Sequence, residues 1–301
     1  MIHPIERRFV FFDHKVAEEG YEWRATTRKA IRSASEILDL VHCKEEGINL
    51  DRVDLLERNT ALFREFAALL GPEQILRFAN SYGMLGVQEK YVDMIGEPLI
   101  AWEEHIAEMR VALKVFDAVR SDDKKLQSSL IRWDSGGFPE VRVDGYDLNY
   151  LATNHAFDAL YSAGLLNPRN PKKVLLSWLT DVIQSQMRRG IDIAMYQSLD
   201  TDRCFLRVHI RTLLAGLWFQ MGQSLANEGE FRECPTCRKP FEVSPGADRS
   251  NKEFCSTNCR VKAYNKRKSR AKKMANEGKT AKQIAAELDT TTEQVKKWLS
   301  K

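Results

Sequence analysis

The chain has 301 residues, of which 43% are hydrophobic and 29% are charged, the composition of an ordinary globular protein. This composition excludes a chain that is disordered throughout, a collagen-like chain and a coiled-coil rod. No stretch reaches the ~18 uncharged apolar residues that a membrane helix needs. Residues 1–8 lack the apolar core of a secretory signal. We therefore expect a cytoplasmic protein with no membrane partner and with length for two domains.

The formal net charge of +4 combines two unlike parts of the chain. Residues 231–301 contain 18 Lys and Arg against 8 Asp and Glu, whereas residues 1–230 contain 28 basic against 34 acidic residues. The basic excess is therefore confined to the last quarter. Such an asymmetry is typical of a nucleic-acid-binding tail on a neutral or acidic body. We place the main domain boundary after residue 230.

Apolar residues at helical spacing dominate residues 1–230. The predicted elements, in chain order, are a short strand at 8–12, helices at 26–41, 51–70, 73–82 and 99–120, a hairpin at 141–146, and helices at 150–165, 174–187 and 205–227. The expected fold class is therefore mainly α, with residues 1–230 forming one large helical N-terminal domain.

Candidate chemistry in the predicted helical body is sparse. Glu104, His105 and Glu108 share the predicted helix 99–120, where a solvated face is the favoured interpretation and a metal site would need two more ligands. The sequence shows no Gly-rich phosphate loop, nucleophile elbow or paired-carboxylate motif, so we predict that the protein is not an enzyme. A pocket for a small-molecule effector, or a surface for a protein partner, stays open for residues 1–230.

Six cysteines divide into two lone residues and one cluster. Cys43 and Cys204 are expected to be small buried hydrophobic residues. The cluster has the pattern C-x2-C-x17-C-x3-C and consists of Cys234, Cys237, Cys255 and Cys259. It predicts a structural Zn²⁺ site, because tetrahedral zinc takes four thiolates from two short segments and is then closed to water. Iron–sulfur binding and free thiols are the alternatives, and a reducing compartment disfavours disulfides.

The local sequence also suggests how these ligands are held. We expect the first cysteine pair in a tight turn and the second at the start of a helix capped by Ser256. A hairpin through residues 241–243 and 251–254, turning at 244–246, would join the two pairs. A turn and a helix start joined by a hairpin form the treble-clef arrangement.

A strongly basic segment follows the last cysteine. Residues 260–274 contain eight basic residues and no acidic one: Arg260, Lys262, Lys266, Arg267, Lys268, Arg270, Lys272 and Lys273. Like charges on one helix repel each other, and an anionic partner relieves that repulsion. We predict that this helix contacts DNA phosphates. A merely solvated basic face is the alternative.

Two short helices are predicted, one at 281–288 capped by Thr280 and one capped by Thr292 that runs to Leu299, with a turn containing Asp289 between them. The pattern resembles the helix-turn-helix of bacterial regulators, resolvases and sigma factors, whose second helix enters the major groove. The resemblance implies six exposed recognition residues: Thr291, Thr292, Glu293, Lys296, Lys297 and Ser300. A helical hairpin that binds protein or only packs is the alternative.

The segments 213–220, 234–237, 254–256 and 259–264, together with the basic run, resemble bacterial proteins that join a helical domain to a treble-clef zinc finger of the CGNR type. Where that finger has Cys-Gly-Asn-Arg, this chain reads Cys-Arg-Val-Lys at 259–262. The resemblance implies a DNA-binding regulator whose helical domain senses a ligand or mediates assembly.

We therefore predict a sequence-specific protein that binds double-stranded DNA, a transcriptional regulator located on the nucleoid when bound. Its domains would be 1–230 for sensing or assembly, 231–268 for the zinc finger and 269–301 for the helix-turn-helix. A homodimer is expected, because one short recognition helix reads only a half-site. The alternatives are a nucleic-acid-processing, phage-defence or mobile-element protein, and a protein-interaction scaffold.

Overall fold

A computed structural model of the chain describes residues 10–12, 15–28, 35–42, 50–52, 61–87, 96–143, 161–197, 204–226, 230–238, 240–243 and 252–300. The chain separates into two units, Met1–Glu228 and Gly229–Lys301. Helices outweigh strands in the described residues, so the chain is mainly α. Among the helices of these residues, none is both long and apolar enough to cross a membrane.

The core of the N-terminal unit is formed by helices. Those described are α1 (Leu62–Ala67), α2 (Gly71–Tyr82), α3 (Leu99–Arg120), α4 (Lys124–Ser129), α5 (Pro171–Met187) and α6 (Leu213–Ala226). Helix α3 packs against α1 and α5, and α5 packs against α6. Large side chains fill the space between them and are fully buried: Phe63, Phe66, Trp102, Phe116 and Trp218. Burial of each such side chain stabilises the folded state by about 1.5–3 kcal/mol.

Local sequence signals define the ends of these helices. Pro72 lies in the first turn of α2, where a backbone N–H would have no acceptor within the helix, so its absence loses no hydrogen bond. Asn170 caps α5 by accepting a hydrogen bond from the backbone N–H of Lys173. The predicted helices at 73–82, 99–120 and 174–187 are confirmed as parts of α2, α3 and α5.

Small sheets surround these helices. The strands are β1 (Val10–Phe12), β2 (Lys15–Ala17), β3 (Tyr21–Arg28), β4 (Ser35–His42), β5 (Leu50–Arg52), β6 (Glu97–Pro98), β7 (Ile131–Trp133), β8 (Pro139–Val141), β9 (Ile191–Gln197) and β10 (Cys204–Ile210). Strand β10 lies between β1, which is parallel to it, and β9, which is antiparallel. Strands β3, β4 and β6 form an antiparallel sheet, and β2–β5 and β7–β8 form antiparallel pairs.

The predicted helix at 26–41 is wrong for its described residues: 26–28 belong to β3 and 35–41 to β4, and Thr26 lies opposite Ile37. The start of the predicted helix at 205–227 is wrong as well, since residues 204–210 form β10 and α6 begins at Leu213. The start of the predicted helix at 51–70 is also wrong: residues 50–52 form β5, and α1 begins at Leu62.

In each of these segments, apolar residues fit both helical spacing and strand alternation, and a distant partner strand decides between them. Most of the predicted hairpin at 141–146 and of the predicted helix at 150–165 lies outside the described residues.

Glu97 anchors the loop that follows α2. Its carboxylate is 1% exposed and accepts hydrogen bonds from the backbone N–H groups of Leu85 at 2.8 Å, Gly86 at 2.5 Å and Val87 at 3.2 Å. Burial raises the pKa of Glu97 above its ordinary range, and the three N–H groups offset part of that rise. The loop therefore depends on one buried side chain for its conformation.

The change Glu97→Gln is expected to lower the free energy of unfolding by about 2–3 kcal/mol. The amide keeps one acceptor oxygen and turns an NH2 donor towards backbone N–H groups, which leaves buried donors unpaired. Urea unfolding followed by tryptophan fluorescence measures the change. Glu103→Gln, at an exposed position of α3, is the matched control. Equal stability of the two variants would contradict the anchoring role.

The C-terminal unit contains a hairpin and three helices. Their bounds are β11 (Glu230–Glu233), β12 (Pro240–Val243), α7 (Thr257–Asn276), α8 (Ala281–Glu287) and α9 (Thr292–Leu299). Strand β12 pairs with β11 rather than with residues 251–254, so the predicted hairpin is wrong in its partner. The short Cys-Pro-Thr-Cys turn lies between β11 and β12, so these two strands are neighbours in the chain and pair with each other. Residues 244–251 lie outside the described residues.

The three helices enclose a small core of their own. Its buried members are Ala271, Met274, Ile284, Ala285, Leu288, Val295 and Trp298. The turn after α7 contains Gly278, which has φ of 88°, and the turn after α8 contains Asp289, which has φ of 48°. In both turns a backbone N–H closes onto a carbonyl five residues earlier, which is the Schellman pattern. Asp289 therefore occupies the left-handed position that glycine fills after α7.

The N-terminal caps of the last two helices are side-chain hydroxyls. Thr280 caps α8, as predicted, and it also forms a reciprocal capping box with Gln283. The cap of α9 is Thr291 and not the predicted Thr292, because the Thr291 hydroxyl accepts the backbone N–H of Gln294. Two independent caps stabilise a pair of helices that are short in isolation.

Candidate metal centre and nucleic-acid interface

Four cysteine sulfurs converge in the C-terminal unit. The Sγ atoms of Cys234, Cys237, Cys255 and Cys259 all lie within 4.8 Å of one another. The Sγ of Cys255 is 3.5 Å from the Sγ atoms of both Cys237 and Cys259. A tetrahedral zinc ion with Zn–S bonds of 2.3 Å requires sulfurs about 3.8 Å apart, whereas a disulfide requires about 2.05 Å. None of the cysteines in the described residues is in a disulfide, so the cluster can hold a metal ion.

Two local structures bring the ligands together. Cys234 and Cys237 lie in the turn after β11, where Arg238 adopts φ of 62° and donates its N–H to the carbonyl of Cys234. Cys259 lies in the first turn of α7, and Ser256 caps this helix by accepting the N–H of Cys259 at 3.2 Å. The predicted tight turn and the predicted Ser256 cap are therefore confirmed.

The cluster forms its own small core. Cys234 and Cys259 are buried with Phe241 and Val243, and Phe254 packs against them. The Thr236 hydroxyl also donates to the carbonyl of Cys259 at 3.1 Å, which joins the turn to the helix start. The two ligand pairs are thus held together by packing and hydrogen bonding as well as by sequence spacing.

The electrostatics favour a cation among the sulfurs. Burial opposes ionisation of Cys234, but the backbone N–H groups of Cys255, Cys237 and Thr236 bond to its sulfur, and its pKa falls to about 6. The pKa of Cys255 is raised, first by burial and then by hydrogen bonds shared with the other three sulfurs. Four crowded thiolates require a positive ion at their centre, and soft sulfur donors suit Zn²⁺ or iron.

The basic residues of α7 are exposed, except for half-buried Lys268. Four of them have the spacing i, i+4, i+8, i+11 and therefore form one stripe along the helix: Lys262, Lys266, Arg270 and Lys273. The helix contains no acidic residue. Arg260, Arg267 and Lys272 are exposed on its other sides. Helix α7 therefore presents a continuous line of positive charge.

Helix α9 has one buried and one exposed face. Val295 and Trp298 enter the three-helix core. The exposed face consists of residues at spacing i, i+3, i+4, i+7, namely Glu293, Lys296, Lys297 and Ser300. The hydroxyl of Thr291 is used as the cap, and Thr292 is half-buried. Four of the six predicted recognition residues thus share one solvent-facing stripe.

Sequence reasoning missed a polar group in the N-terminal unit. His105 and Glu108, expected on a solvated face, are only 4% and 8% exposed and bond to each other at 2.8 Å. They line a cavity together with Gln186 of α5. The spacing of His105 from Trp102 indicates the buried face of α3, but no local signal connects Gln186 to it. Cys204, expected to be buried, is exposed on β10, and Cys43 lies outside the described residues.

Comparison with protein-family models, with curated proteins and with solved structures finds no match for this chain.

Proposed function

We propose that this chain is a sequence-specific, double-stranded-DNA-binding transcriptional regulator. Its C-terminal unit would combine a treble-clef zinc finger with a helix-turn-helix. One observation carries the proposal: α7 supplies the ligand Cys259 in its first turn, a basic stripe in its middle, and Ala271 and Met274 to the three-helix core near its end. A single helix thus joins the metal cluster and the positive charge to the core that holds α9.

The metal would have a structural role. Four thiolates close a tetrahedral zinc ion and leave no position for a reacting water. The few apolar residues around the cluster, Phe241, Val243 and Phe254, are too small a core to hold this segment alone. Binding of zinc would supply the missing free energy, and iron in place of zinc would be visible by metal analysis and colour.

The basic stripe of α7 would bind phosphates. Like charges at spacing i, i+4 destabilise a helix by a few tenths of a kcal/mol per pair, and phosphate contact relieves this repulsion. Each phosphate neutralised also releases counterions, which makes the affinity dependent on salt. Lys262, Lys266, Arg270 and Lys273 supply four such contacts on one side of the helix.

Helix α9 would read bases in the major groove. Glu293 is suited to accept a hydrogen bond from cytosine N4, and Lys296 and Lys297 are suited to guanine or to flanking phosphates. A helix of this length reads one half-site, so we propose that the protein binds as a homodimer. The N-terminal unit would then serve dimerisation or effector binding.

Two single substitutions test the recognition helix. Lys296→Ala and Lys297→Ala are each expected to weaken duplex binding by about 1–3 kcal/mol, or to reduce the salt slope by about 1 where the contact is to phosphate. Both side chains are exposed, so circular dichroism and metal content should not change. Fluorescence anisotropy with a duplex selected from a random pool measures the affinity.

The matched control is Lys282→Ala, an exposed lysine of α8 outside the proposed interface. Equal affinities of all three variants and the parent protein would contradict the assignment of α9. Selection with and without Mg²⁺ separates the rival functions: cleavage of the duplex indicates a nucleic-acid-processing enzyme, and absence of both binding and cleavage indicates a protein-interaction scaffold.

A further inference from the structure

The N-terminal unit contains a cavity of about 880 Å³, within the range of small-molecule sites in proteins. Its walls come from five parts of the unit: the loop after α2, helix α3, the end of α5, strand β9 and the start of α6. Nine of its fourteen lining residues are charged or polar, unlike those of the apolar core of the same unit.

Three buried polar side chains form one side of the cavity. The Nδ1–H of His105 donates to Oε2 of Glu108 at 2.8 Å, because a carboxylate can only accept. The Nε2 of Gln186 lies 3.5 Å from the same oxygen. Gln186 is only 5% exposed, and its Oε1 has no hydrogen-bond partner among the described residues. A buried acceptor without a donor is unfavourable, and a ligand with a donor group would satisfy it.

Two arginines at the end of α5 form the rim. Arg188 and Arg189 line the cavity, are exposed, and make no ion pair or side-chain hydrogen bond within the described residues. The third arginine of the lining, Arg211, is paired with Asp192. Glu104, which also lines the cavity, already has an interaction within the protein. Two guanidinium groups are therefore available, and their planar forks match carboxylate and phosphate oxygens.

The wall between rim and interior is closely packed. A Cβ added at Gly86 would lie 2.7 Å from Thr212 side-chain atoms, and one added at Gly190 would lie 2.3 Å from the Thr212 hydroxyl oxygen. That hydroxyl accepts the N–H of Ala215 at 3.2 Å, and the N–H of Leu214 bonds to the carbonyl of Leu85. These contacts indicate a preformed wall at the start of α6.

We infer that this cavity binds a small molecule that has a carboxylate or phosphate group at one end and a hydrogen-bond donor at the other. Arg188 and Arg189 hold the anionic group, and Gln186 and Glu108 accept from the donor. All its lining residues belong to the N-terminal unit, so the inference does not rest on DNA binding by the C-terminal unit.

Calorimetric titration of the full chain with inorganic phosphate, malate and AMP, each against sodium chloride of equal ionic strength, tests the inference. At least one probe is expected to bind with a Kd of about 1 mM or tighter. A preference for phosphate and AMP identifies a phosphate site, and a preference for malate identifies a carboxylate site. Failure of all three probes to bind overturns the inference.

Variants locate the binding. The double change Arg188→Ala and Arg189→Ala is expected to weaken it at least about tenfold, and Gln186→Met severalfold. The matched control, Arg169→Ala with Lys172→Ala, removes two exposed cations at the other end of α5 and should leave Kd unchanged. Binding that survives loss of Arg188 and Arg189 overturns the site. Lys296→Ala, which tests DNA binding, should leave probe binding unchanged. The small-molecule site and the DNA-binding function can therefore be contradicted independently of each other.

Discussion

Cys237→Ser is expected to abolish stoichiometric metal binding and to unfold residues 230–238, 240–243 and 252–259 while the N-terminal unit stays folded. The Sγ of Cys237 lies 3.5 Å from that of Cys255, within the four-sulfur cluster. A hydroxyl is a poor substitute for a thiolate towards zinc, so we expect metal affinity to fall by more than the ~100-fold lost with an outer-shell partner. Structural zinc contributes about 10–16 kcal/mol of apparent binding free energy in finger peptides.

Two measurements on the full chain check this expectation. Elemental analysis after dialysis against a chelator gives the metal content per chain, and hydrogen exchange reports protection of the segment. Cys204→Ser is the control, because Cys204 is an exposed cysteine of β10 that does not belong to the cluster. One metal ion retained per chain in Cys237→Ser, or unchanged protection at residues 230–238 and 252–259, would contradict the structural metal site.

Trp298→Ala is expected to lower the free energy of unfolding by about 3–5 kcal/mol and to unfold the three-helix core of the C-terminal unit. The indole is 3% exposed, and its ring centroid lies 5.8 Å from that of Tyr264 in an edge-to-face contact. It is the largest of seven buried side chains in that core, so its truncation leaves a cavity that small helices cannot close. Loss of amide protection in α8 and α9 measures the effect.

The neighbouring residue supplies the control for this change. Leu299 is 37% exposed, and Leu299→Ala is expected to lower the free energy of unfolding by less than about 1 kcal/mol. Trp298→Phe, which keeps an aromatic ring in the core, should recover most of the protection. Equal protection of α8 and α9 in Trp298→Ala and Leu299→Ala would contradict the central place of Trp298 in the packing.

The C-terminal unit was predictable because its signals are local. The cap at Thr280 and the apolar residues one or two turns apart are enough to predict that α7, α8 and α9 are helices. The cysteine spacing predicts a metal cluster because few other structures require four thiols so close together in a chain. The local errors are the one-residue shift of the α9 cap to Thr291 and the partner of β12.

The N-terminal unit was less predictable because its strands depend on distant partners. Residues 35–42 pair with 21–28 and residues 204–210 with 191–197, and neither pairing follows from periodicity within one segment. The cavity was missed for the same reason. His105 and Gln186 are far apart in the chain, and only the packing of α3 against α5 makes them neighbours.

The proposal that the C-terminal unit binds DNA is best tested by the salt dependence of DNA binding by the full, metal-loaded chain. Anisotropy titrations would compare a duplex selected from a random pool with a scrambled duplex of equal length, without Mg²⁺. We expect tighter binding to the selected duplex and a logarithmic salt slope of about −3.6 or steeper, since four stripe residues each neutralise a phosphate. Equal affinity for both duplexes, or an affinity that does not change with salt, would contradict it.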